Sequence, residues 1–361
     1  RKLQMAYAVV MAGGNGTRLW PRVRKDSPKH LIVHGDETLL AKALERAHAL
    51  VGKESVYVTT NENLLDTITA NIPQELISKV YTEPAVRDTG PAIGLMAARI
   101  AAVDPAAVIA FLPADHVILD EQEFNKVLKA ALKAAGTIDG LVIVGVPASE
   151  ARTCYGYIKR GKTLYVEDNG LPVYKVERFR EKPTSQRAEK YIRQNEYFWN
   201  SGIVVGRANL ILELLNEHAP QLKPGLEKIA LTVKTSHGED AVREYYTALE
   251  RIAFDYAVLE KSTKIHMVIG NFGWEDIGSW SSLAKVSTKD TDENVFAGRA
   301  ISIDTSNCLI AAKDKLVASI GVSDLIVIDT EDVLFICNKA RDQDVKTLLK
   351  RLRQVGWEHY L

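Results

Sequence analysis

Three glycines and an arginine follow the first apolar run of this 361-residue chain, in the stretch AVVMAGGNGTRLWP at residues 8–21. Gly13, Gly14 and Gly16 leave out side chains where the backbone must turn or a bulky group must approach closely. Arg18 adds a permanent cation, and a cation beside bare backbone N–H groups suits a phosphate. An ordinary strand-to-helix turn would also explain the glycines, so the loop alone identifies no ligand.

The loop fits neither of the two common nucleotide motifs. A Walker A sequence is absent, and Leu19 stands where a dinucleotide-binding loop needs its third glycine. A dehydrogenase is therefore a poor reading. Lys29 follows some ten residues after Arg18, and the two cations are expected to flank a polyphosphate from two sides. The alternative for Lys29 is a solvated surface lysine.

Two aspartates lie in loops that could hold a metal ion. Asp115 comes just after an apolar strand in FLPADHV (111–117), and Asp276 lies in the Gly- and Trp-rich turn NFGWEDIGSW (271–280). Magnesium takes one or two protein carboxylates and completes its shell with water and substrate phosphate. The alternative is that each aspartate only caps or starts a turn.

Three further stretches suit a polar ligand of the size of a sugar. Gly156 offers bare backbone beside aromatic rings in CYGYI, Glu181 and Lys182 end a strand in FREKP, and Asn200 precedes an apolar strand in WNSGI. Taken singly, each could be a turn with a capping polar residue.

Charge and cysteine content limit the classes of function. The chain has 46 Lys and Arg against 46 Asp and Glu, so we expect no nucleic-acid partner and no polybasic membrane face. No apolar run approaches the ~20 residues that span a bilayer, and the N-terminal RKLQM lacks the apolar stretch of a signal peptide. Cys154, Cys308 and Cys337 lie far apart, which favours a reducing, cytoplasmic location and three small buried side chains.

The candidate residues lie in loops of a predicted α/β domain. Nearly continuous apolar runs predict strands covered on both faces, at Tyr7–Met11, Val56–Thr59, Ala107–Leu112 and Leu141–Val146. Helical patterns lie between them, at Glu37–Val51, Pro91–Val103 and Glu121–Ala135. Ligands of such sheets bind beyond the carboxyl ends of the strands, where the candidate loops lie.

The pattern changes after about residue 289. Short apolar segments recur between Arg299 and Cys337, which predicts an all-β unit, either a small sandwich or a few solenoid coils. A basic amphipathic helix is expected at Ala340–Val355. The polar stretch STKDTDEN favours two domains, at 1–288 and 289–361.

Taken in order, these stretches resemble the sugar-phosphate nucleotidyltransferases, and among them the bacterial mannose-1-phosphate guanylyltransferases (GDP-mannose pyrophosphorylases). The family signature is matched by Met11–Pro21 and Pro28-Lys29. Motifs of the guanylyltransferase subgroup are matched by EPAVRDTGPAIG (83–94), Leu112–His116, Tyr155–Ile158, Phe179–Pro183, Trp199–Ile203, Phe254–Glu260 and Trp274–Trp280. The similarity continues to RDQDVK (341–346) and covers nearly the whole chain.

The resemblance implies a fold and a reaction. The fold would be a Rossmann-like, glycosyltransferase-A-like mixed α/β sheet flanked by helices, with a short left-handed β-helix-like domain that relatives use for dimer contacts. A homodimer is therefore expected. The reaction would transfer GMP from GTP to mannose 1-phosphate by direct attack on the α-phosphorus, with Mg²⁺ as cofactor and GDP-mannose and pyrophosphate as products.

The resemblance also implies a role for each matched residue. Arg18 and Lys29 would hold the triphosphate and Lys182 the sugar phosphate, while Asp115 and Asp276 would hold the metal. The expected nucleotide-binding residues are Ala12, Gly13, Gly14, Gly16, Thr17, Asp88, Thr89, Pro113 and Asp115. The expected sugar-binding residues are Gly156, Glu181 and Asn200.

The chain departs from the family pattern in two places. The usual Asn-Thr-Ala is Asp88-Thr89-Gly90, which bears on base preference, and the usual glutamine after Pro-Lys is His30. The chain given ends at Leu361, so no cupin-type isomerase domain is expected in it. Two alternatives stay open: the same transfer with another base or sugar, and a catalytically silent relative that binds a sugar nucleotide and regulates a partner.

Overall fold

The computed structural model describes residues 5–14, 16–235 and 237–361, so four residues of the N-terminal RKLQM, Asn15 of the glycine loop and Ser236 lie outside it. The chain forms two compact units. The first, here the sheet unit, comprises the described residues of Arg1–Gly13, Ala43–Ala114 and Ile118–Trp274. The second, here the β-helix unit, comprises those of Gly14–Lys42, Asp115–Val117 and Glu275–Leu361.

The strands, numbered in chain order, are β1 Ala6–Met11, β2 Val33–His34, β3 Glu37–Thr38, β4 Val56–Asn61, β5 Val80–Glu83, β6 Val108–Pro113, β7 His116–Ile118, β8 Leu141–Pro147, β9 Tyr157–Val166, β10 Pro172–Arg180, β11 Tyr197–Arg207, β12 Ile265–Ile269, β13 Trp274–Asp276, β14 Val295–Ala297, β15 Ala300–Ile303, β16 Leu309–Ala311, β17 Val317–Ile320, β18 Leu325–Asp329 and β19 Leu334–Asn338.

The α-helices are α1 Leu39–Val51, α2 Leu65–Thr69, α3 Thr89–Ala101, α4 Glu121–Thr137, α5 Ser185–Gln194, α6 Ala208–His218, α7 Lys223–Thr232, α8 Gly238–Thr247, α9 Trp280–Val286 and α10 Val345–Gln354. Short 3₁₀ turns lie between them. In the described part of the chain, none of these helices has both the length and the apolar content to cross a membrane.

The sheet unit is built on one mixed sheet. Its strand order is β5-β4-β1-β6-β11-β8-β12-β10-β9. β5, β4, β1 and β6 run parallel, and β11 joins β6 antiparallel. β1, β4 and β6 are buried on both faces, as their nearly continuous apolar runs require. Their carboxyl ends therefore carry the loops of Ala12, Gly13 and Pro113 at one edge of the sheet.

The local sequence explains the helices that cover this sheet. In α4, the buried side chains Phe124, Val127, Leu128, Ala131 and Ala135 recur at helical spacing and form one apolar face. The Asp120 side chain accepts a hydrogen bond from the Glu123 backbone N–H (2.9 Å) and caps the helix.

The strands and helices predicted before residue 289 are confirmed, with shifted ends. Glu37 and Thr38 pair as β3 with β2, so α1 begins at Leu39 and not at Glu37. The helix expected from Pro91 begins earlier, at Thr89, because the Asp88 side chain accepts a hydrogen bond from the Thr89 N–H and caps it.

The β-helix unit stacks short parallel strands. β14, β16 and β18 pair parallel in one sheet, and β15 pairs parallel with β17. This stacking is the solenoid alternative of the two that the sequence left open. The core of the unit includes Leu19 and Trp20 from the glycine-loop segment together with Trp280 and Ile326. Trp20 donates from Nε1 to the Tyr360 carbonyl (2.7 Å).

The C-terminal helix is shorter than expected. A 3₁₀ turn occupies Lys339–Asp344, and α10 begins only at Val345.

The expectation of three buried cysteines was wrong for two of them, since Cys154 is exposed and Cys337 half-buried, while Cys308 is buried. The domain boundary at 288/289 stays a prediction.

Candidate active site

The glycine loop in the β-helix unit has one position that only glycine fits. Gly16 has φ +45°, and a Cβ there would lie 2.4 Å from the Lys29 Cβ. Thr17, which is exposed, begins the 3₁₀ turn Thr17–Leu19 that carries Arg18. A Cβ on Gly14 would lie 3.9 Å from Asp115 Oδ2, so the loop passes directly beside this carboxylate.

Lys29 joins the two candidate metal ligands. Its Nζ lies 2.7 Å from Asp115 Oδ2 and 2.5 Å from Asp276 Oδ1. Lys29 is only 6% exposed, so the alternative of a solvated surface lysine is wrong. Asp115 precedes β7 and Asp276 ends β13, and these two strands pair with each other. We call Lys29, Asp115, His116 and Asp276 the carboxylate cluster.

The electrostatics of the carboxylate cluster favour the ionised forms of Asp115 and Lys29. Burial alone would raise the pKa of Asp115, but Lys29 and then His116 hold it well below its usual range. Burial would likewise lower the pKa of Lys29, but the charges of Asp115 and Asp276 outweigh it and raise that pKa. Both carboxylates are therefore arranged to face a cation.

The donor atoms also fit a metal ion. One ligand atom each from Asp115, His116 and Asp276 lies within 4.8 Å of the others. The ammonium of Lys29 already occupies the position of a cation shared by both carboxylates. Carboxylate oxygens are ligands that hard divalent cations prefer. The sequence reasoning missed His116, although it stands directly after Asp115 in LPADH.

His30, one of the two departures from the family pattern, lies beside this cluster as a neutral side chain. It is 1% exposed, and burial, with some contribution from Lys29, lowers its pKa to about 4. Its Nε2 is buried and has no hydrogen-bond partner. His30 therefore acts in packing.

Three of the expected nucleotide-binding residues, Ala12, Gly13 and Pro113, lie at the carboxyl ends of β1 and β6. The Ala12 N–H donates to the Thr59 carbonyl (2.8 Å) and the Ala12 carbonyl accepts from the Thr60 hydroxyl (2.8 Å), so its backbone groups are already used. A Cβ on Gly13 would lie 3.6 Å from Glu83 Oε1. Pro113, half-buried, ends β6 opposite Met11 of β1.

Glu83 is a buried carboxylate that the sequence reasoning did not assign. Its Oε2 accepts a hydrogen bond from the hydroxyl of Tyr246, which is fully buried. Burial raises the pKa of Glu83 to about 7, against the opposing effect of the Tyr246 hydrogen bond. Its position at the start of EPAVRDTGPAIG could have marked it.

The Asp88–Gly90 segment is tied to the chain around Phe254. The Thr89 hydroxyl accepts a hydrogen bond from the Phe254 N–H (2.8 Å), and the Gly90 N–H donates to the Ile252 carbonyl (2.9 Å). A Cβ on Gly90 would lie 2.7 Å from that same carbonyl oxygen. The glycine that departs from the family alanine thus permits this close approach.

The three expected sugar-binding residues come together in the sheet unit. A Cβ on Gly156 would lie 2.5 Å from Glu181 Oε2 and 3.2 Å from Asn200 Cβ. The Asn200 N–H donates to the Gly156 carbonyl (2.8 Å). Lys182, with φ +43°, donates from Nζ to Glu181 Oε1 (2.7 Å).

Asp255 completes this group, and the sequence reasoning did not assign it. Asn200 Nδ2 donates to Asp255 Oδ1 (2.9 Å), and Asn200 Oδ1 accepts from the Gly202 N–H (3.2 Å). Burial, and then the charge of Glu181, raises the pKa of Asp255 to about 7. We call Gly156, Glu181, Asn200 and Asp255 the Asn200 cluster. Asp255 lies in the matched motif Phe254–Glu260, which could have marked it.

Two carboxylates that share one cation beside a bare glycine loop place the chain among the α/β enzymes that handle phosphates. Comparison with known families makes this class specific. The chain belongs to the nucleotidyl transferase family, whose pattern matches residues 7–293. A second family pattern, the MannoseP isomerase/GMP-like beta-helix domain, matches residues 298–352. The nucleotidyltransferase fold and the β-helix-like C-terminal region expected from the sequence are thereby confirmed.

Individual relatives extend over nearly the whole chain. The alginate biosynthesis protein AlgA of Pseudomonas aeruginosa is 35% identical over 96% of this chain and 72% of its own length. The mannose-1-phosphate guanylyltransferase of Escherichia coli K12 is 35% identical over 97% of this chain and 74% of its own. A Thermus thermophilus crystal structure named as a mannose-1-phosphate geranyltransferase superposes with a TM-score of 0.86 at 32% identity, over 97% of this chain and 100% of that one.

Proposed function

We propose that this chain transfers GMP from GTP to mannose 1-phosphate, releasing pyrophosphate and GDP-mannose. The observation that carries the proposal is the carboxylate cluster, in which Lys29 lies between Asp115 and Asp276 beside the glycine loop. The names of the relatives with about one third identity support the choice of base and sugar.

The transfer needs no enzyme nucleophile. A phosphate oxygen of mannose 1-phosphate forms the new bond to the α-phosphorus of GTP. The bond from that phosphorus to the oxygen bridging the α- and β-phosphates breaks, and pyrophosphate leaves with the electron pair. The protein then contributes to catalysis by positioning the two substrates and by stabilising the negative charge on their phosphates.

Cations and backbone groups of the glycine-loop segment would bind the triphosphate. Arg18 and Lys29 would supply positive charge, with the backbone of Gly14 and Gly16 close by. A divalent cation held by Asp115 and Asp276, which we propose to be Mg²⁺, would neutralise phosphate charge during the transfer. Lys29 would leave the two carboxylates and pair with phosphate oxygen.

Two other groups of residues would bind the base and the sugar. Glu83 supports guanine, because a carboxylate beside Gly13 can accept from both N1–H and the 2-amino group, a donor pair that adenine and uracil lack. Asp88, Thr89, Pro113 and the Ala12–Gly13 backbone would shape the remainder of the base pocket. Gly156, Glu181 and Asn200 would bind mannose hydroxyls, and Lys182 would pair with the sugar phosphate.

A substrate matrix tests the proposal. Pyrophosphate release is measured for GTP, ATP and UTP, each with mannose 1-phosphate and glucose 1-phosphate. We expect the highest kcat/KM for GTP with mannose 1-phosphate, by about ten-fold or more. Comparable kcat/KM with UTP would refute the guanine assignment and direct attention to Asp88 and Gly90. Tight binding of GDP-mannose without turnover would instead favour the regulatory alternative.

The proposal also includes a cytoplasmic location and a homodimer.

A further inference from the structure

The turn Lys339–Asp344 contacts Arg18, the arginine of the glycine-loop segment. Arg18 Nη1 donates a hydrogen bond to Gln343 Oε1 (2.9 Å), a residue 325 positions further along the chain. Gln343 lies in RDQDVK (341–346), a stretch for which the sequence offered no role. Both residues belong to the β-helix unit.

Gln343 is itself held in place. Its Nε2 donates to Asp342 Oδ1 (2.9 Å), and Asp342 Oδ2 accepts from the Ser281 N–H (3.2 Å). Asp342 is 5% exposed. Since Nε2 donates to a carboxylate, Oε1 is the atom turned toward Arg18.

Gly278 also lies close to the guanidinium group of Arg18. A Cβ on Gly278 would lie only 3.0 Å from Arg18 Nη2. The turn Thr17–Leu19 that carries Arg18 is anchored by Leu19, which is fully buried in the core of the unit. Contacts within the β-helix unit therefore hold both the backbone and the guanidinium group of Arg18 in place.

We propose that Gln343 is a positioning residue for Arg18, so that the C-terminal turn Lys339–Asp344 takes part in triphosphate binding in addition to packing. This inference rests on the proposed function. Arginine loses considerable rotamer freedom when it binds a phosphate, and a residue that orients it beforehand removes part of that cost. A neutral amide oxygen does this without cancelling the charge, whereas a carboxylate at this place would compete with phosphate for the guanidinium.

The test compares Q343L, which lacks the acceptor, and Q343E, which keeps an acceptor but adds negative charge, with wild type. Q354L is the matched control, because Gln354 is exposed at the end of α10. We expect Q343L to lose about ten-fold in kcat/KM for GTP, and Q343E to lose more. In the R18A background, Q343L should change kcat/KM by less than about two-fold, since non-additivity marks residues that act through one another.

Binding of inorganic tripolyphosphate, measured by calorimetry, separates this inference from the proposed function. It needs neither guanine nor mannose, so weaker binding in Q343L and Q343E supports the inference even if the substrate matrix gives another base or sugar. Thermal melting checks folding. Wild-type tripolyphosphate affinity in a folded Q343L or Q343E variant, or equal losses from Q343L with and without Arg18, would overturn the inference.

Discussion

The carboxylate cluster and the Asn200 cluster both hold two acidic side chains, but they treat the negative charge in opposite ways. In the first, Lys29 lies within 2.7 Å of both Asp115 and Asp276, and the pKa of Asp115 is held low. In the second, burial and the neighbouring Glu181 raise the pKa of Asp255 to about 7. The first arrangement suits cations and phosphates, and the second suits neutral hydroxyl groups, which exchange hydrogen bonds with amides and protonated carboxyls.

The largest expected effect is loss of turnover when the carboxylate cluster loses charge. D115N and D276N should each lower kcat by about 10²–10³, because a well-placed electrostatic stabiliser is removed while side-chain size is kept. Since both act on one cation, the double variant should be scarcely worse than the worse single variant. The measurement is kcat against magnesium concentration, with exposed Asp26 as the D26N control. Near-wild-type turnover in a folded single variant would remove that aspartate from the metal site.

Removal of the lysine cation should reveal the affinity of the two carboxylates for a metal ion. K29M leaves both facing each other without their ammonium, and we expect a loss of about 2–3 kcal/mol of folding free energy. Added MgCl₂ should restore part of this loss, so the Tm should rise more in K29M than in wild type. K25M, at an exposed lysine nearby, is the control. An equal Tm rise in K29M and wild type would contradict a shared cation position.

The Asn200 cluster should show the opposite electrostatics in its pH dependence. Asp255 has a raised pKa of about 7 in the folded protein, so it contributes full stability only below its unfolded pKa and loses it as pH rises toward 7. Relative to D255N, wild type should lose about 2 kcal/mol of stability between pH 5 and pH 7. Denaturant unfolding across this range measures it, with D240N, at an exposed carboxylate, as reference. A constant difference would refute the raised pKa.

The smallest effect is expected at the base. E83Q keeps one acceptor oxygen, for Tyr246, but replaces the second carboxyl oxygen, beside Gly13, with an amide NH₂ group that cannot accept. We expect the preference for GTP over ATP, measured as the ratio of kcat/KM values, to fall by about ten-fold. The kcat/KM values for GTP and for ITP, which lacks the 2-amino group, should become more similar. E75Q, at an exposed glutamate, is the control. Unchanged discrimination between GTP and ITP would exclude Glu83 from guanine recognition.

Most of the fold could be predicted because the strands of the sheet unit are buried on both faces. β1, β4, β6 and β8 therefore read as continuous apolar runs. The ends of helices could not be predicted as well. α1 lost its first two positions to a strand pairing, and α3 gained two positions at its start through the Asp88 cap. Both depend on contacts that periodicity does not record.

The candidate site was partly predictable for a similar reason. Asp115 could be found because it follows an apolar strand in a motif-bearing loop, and Asp276 because it lies in the Gly- and Trp-rich turn of another motif. Glu83, Asp255 and Gln343 could not, because their contacts with Tyr246, Asn200 and Arg18 span 55 to 325 residues of sequence. The grouping of residues 14–42 with the C-terminal region is equally non-local. Contacts between residues so far apart in sequence are made only in the folded structure, and the local sequence carries no signal for them.

The most direct test of the shared cation is a count of bound ions. Mn²⁺ can replace Mg²⁺ as a paramagnetic probe, and its binding to wild type, D115N and D276N is followed by electron paramagnetic resonance with and without GTP. The account predicts a single ion per chain in the GTP complex of wild type, and strongly weakened binding in either variant. Two independent ions, or an ion that either variant still binds with wild-type affinity, would contradict it.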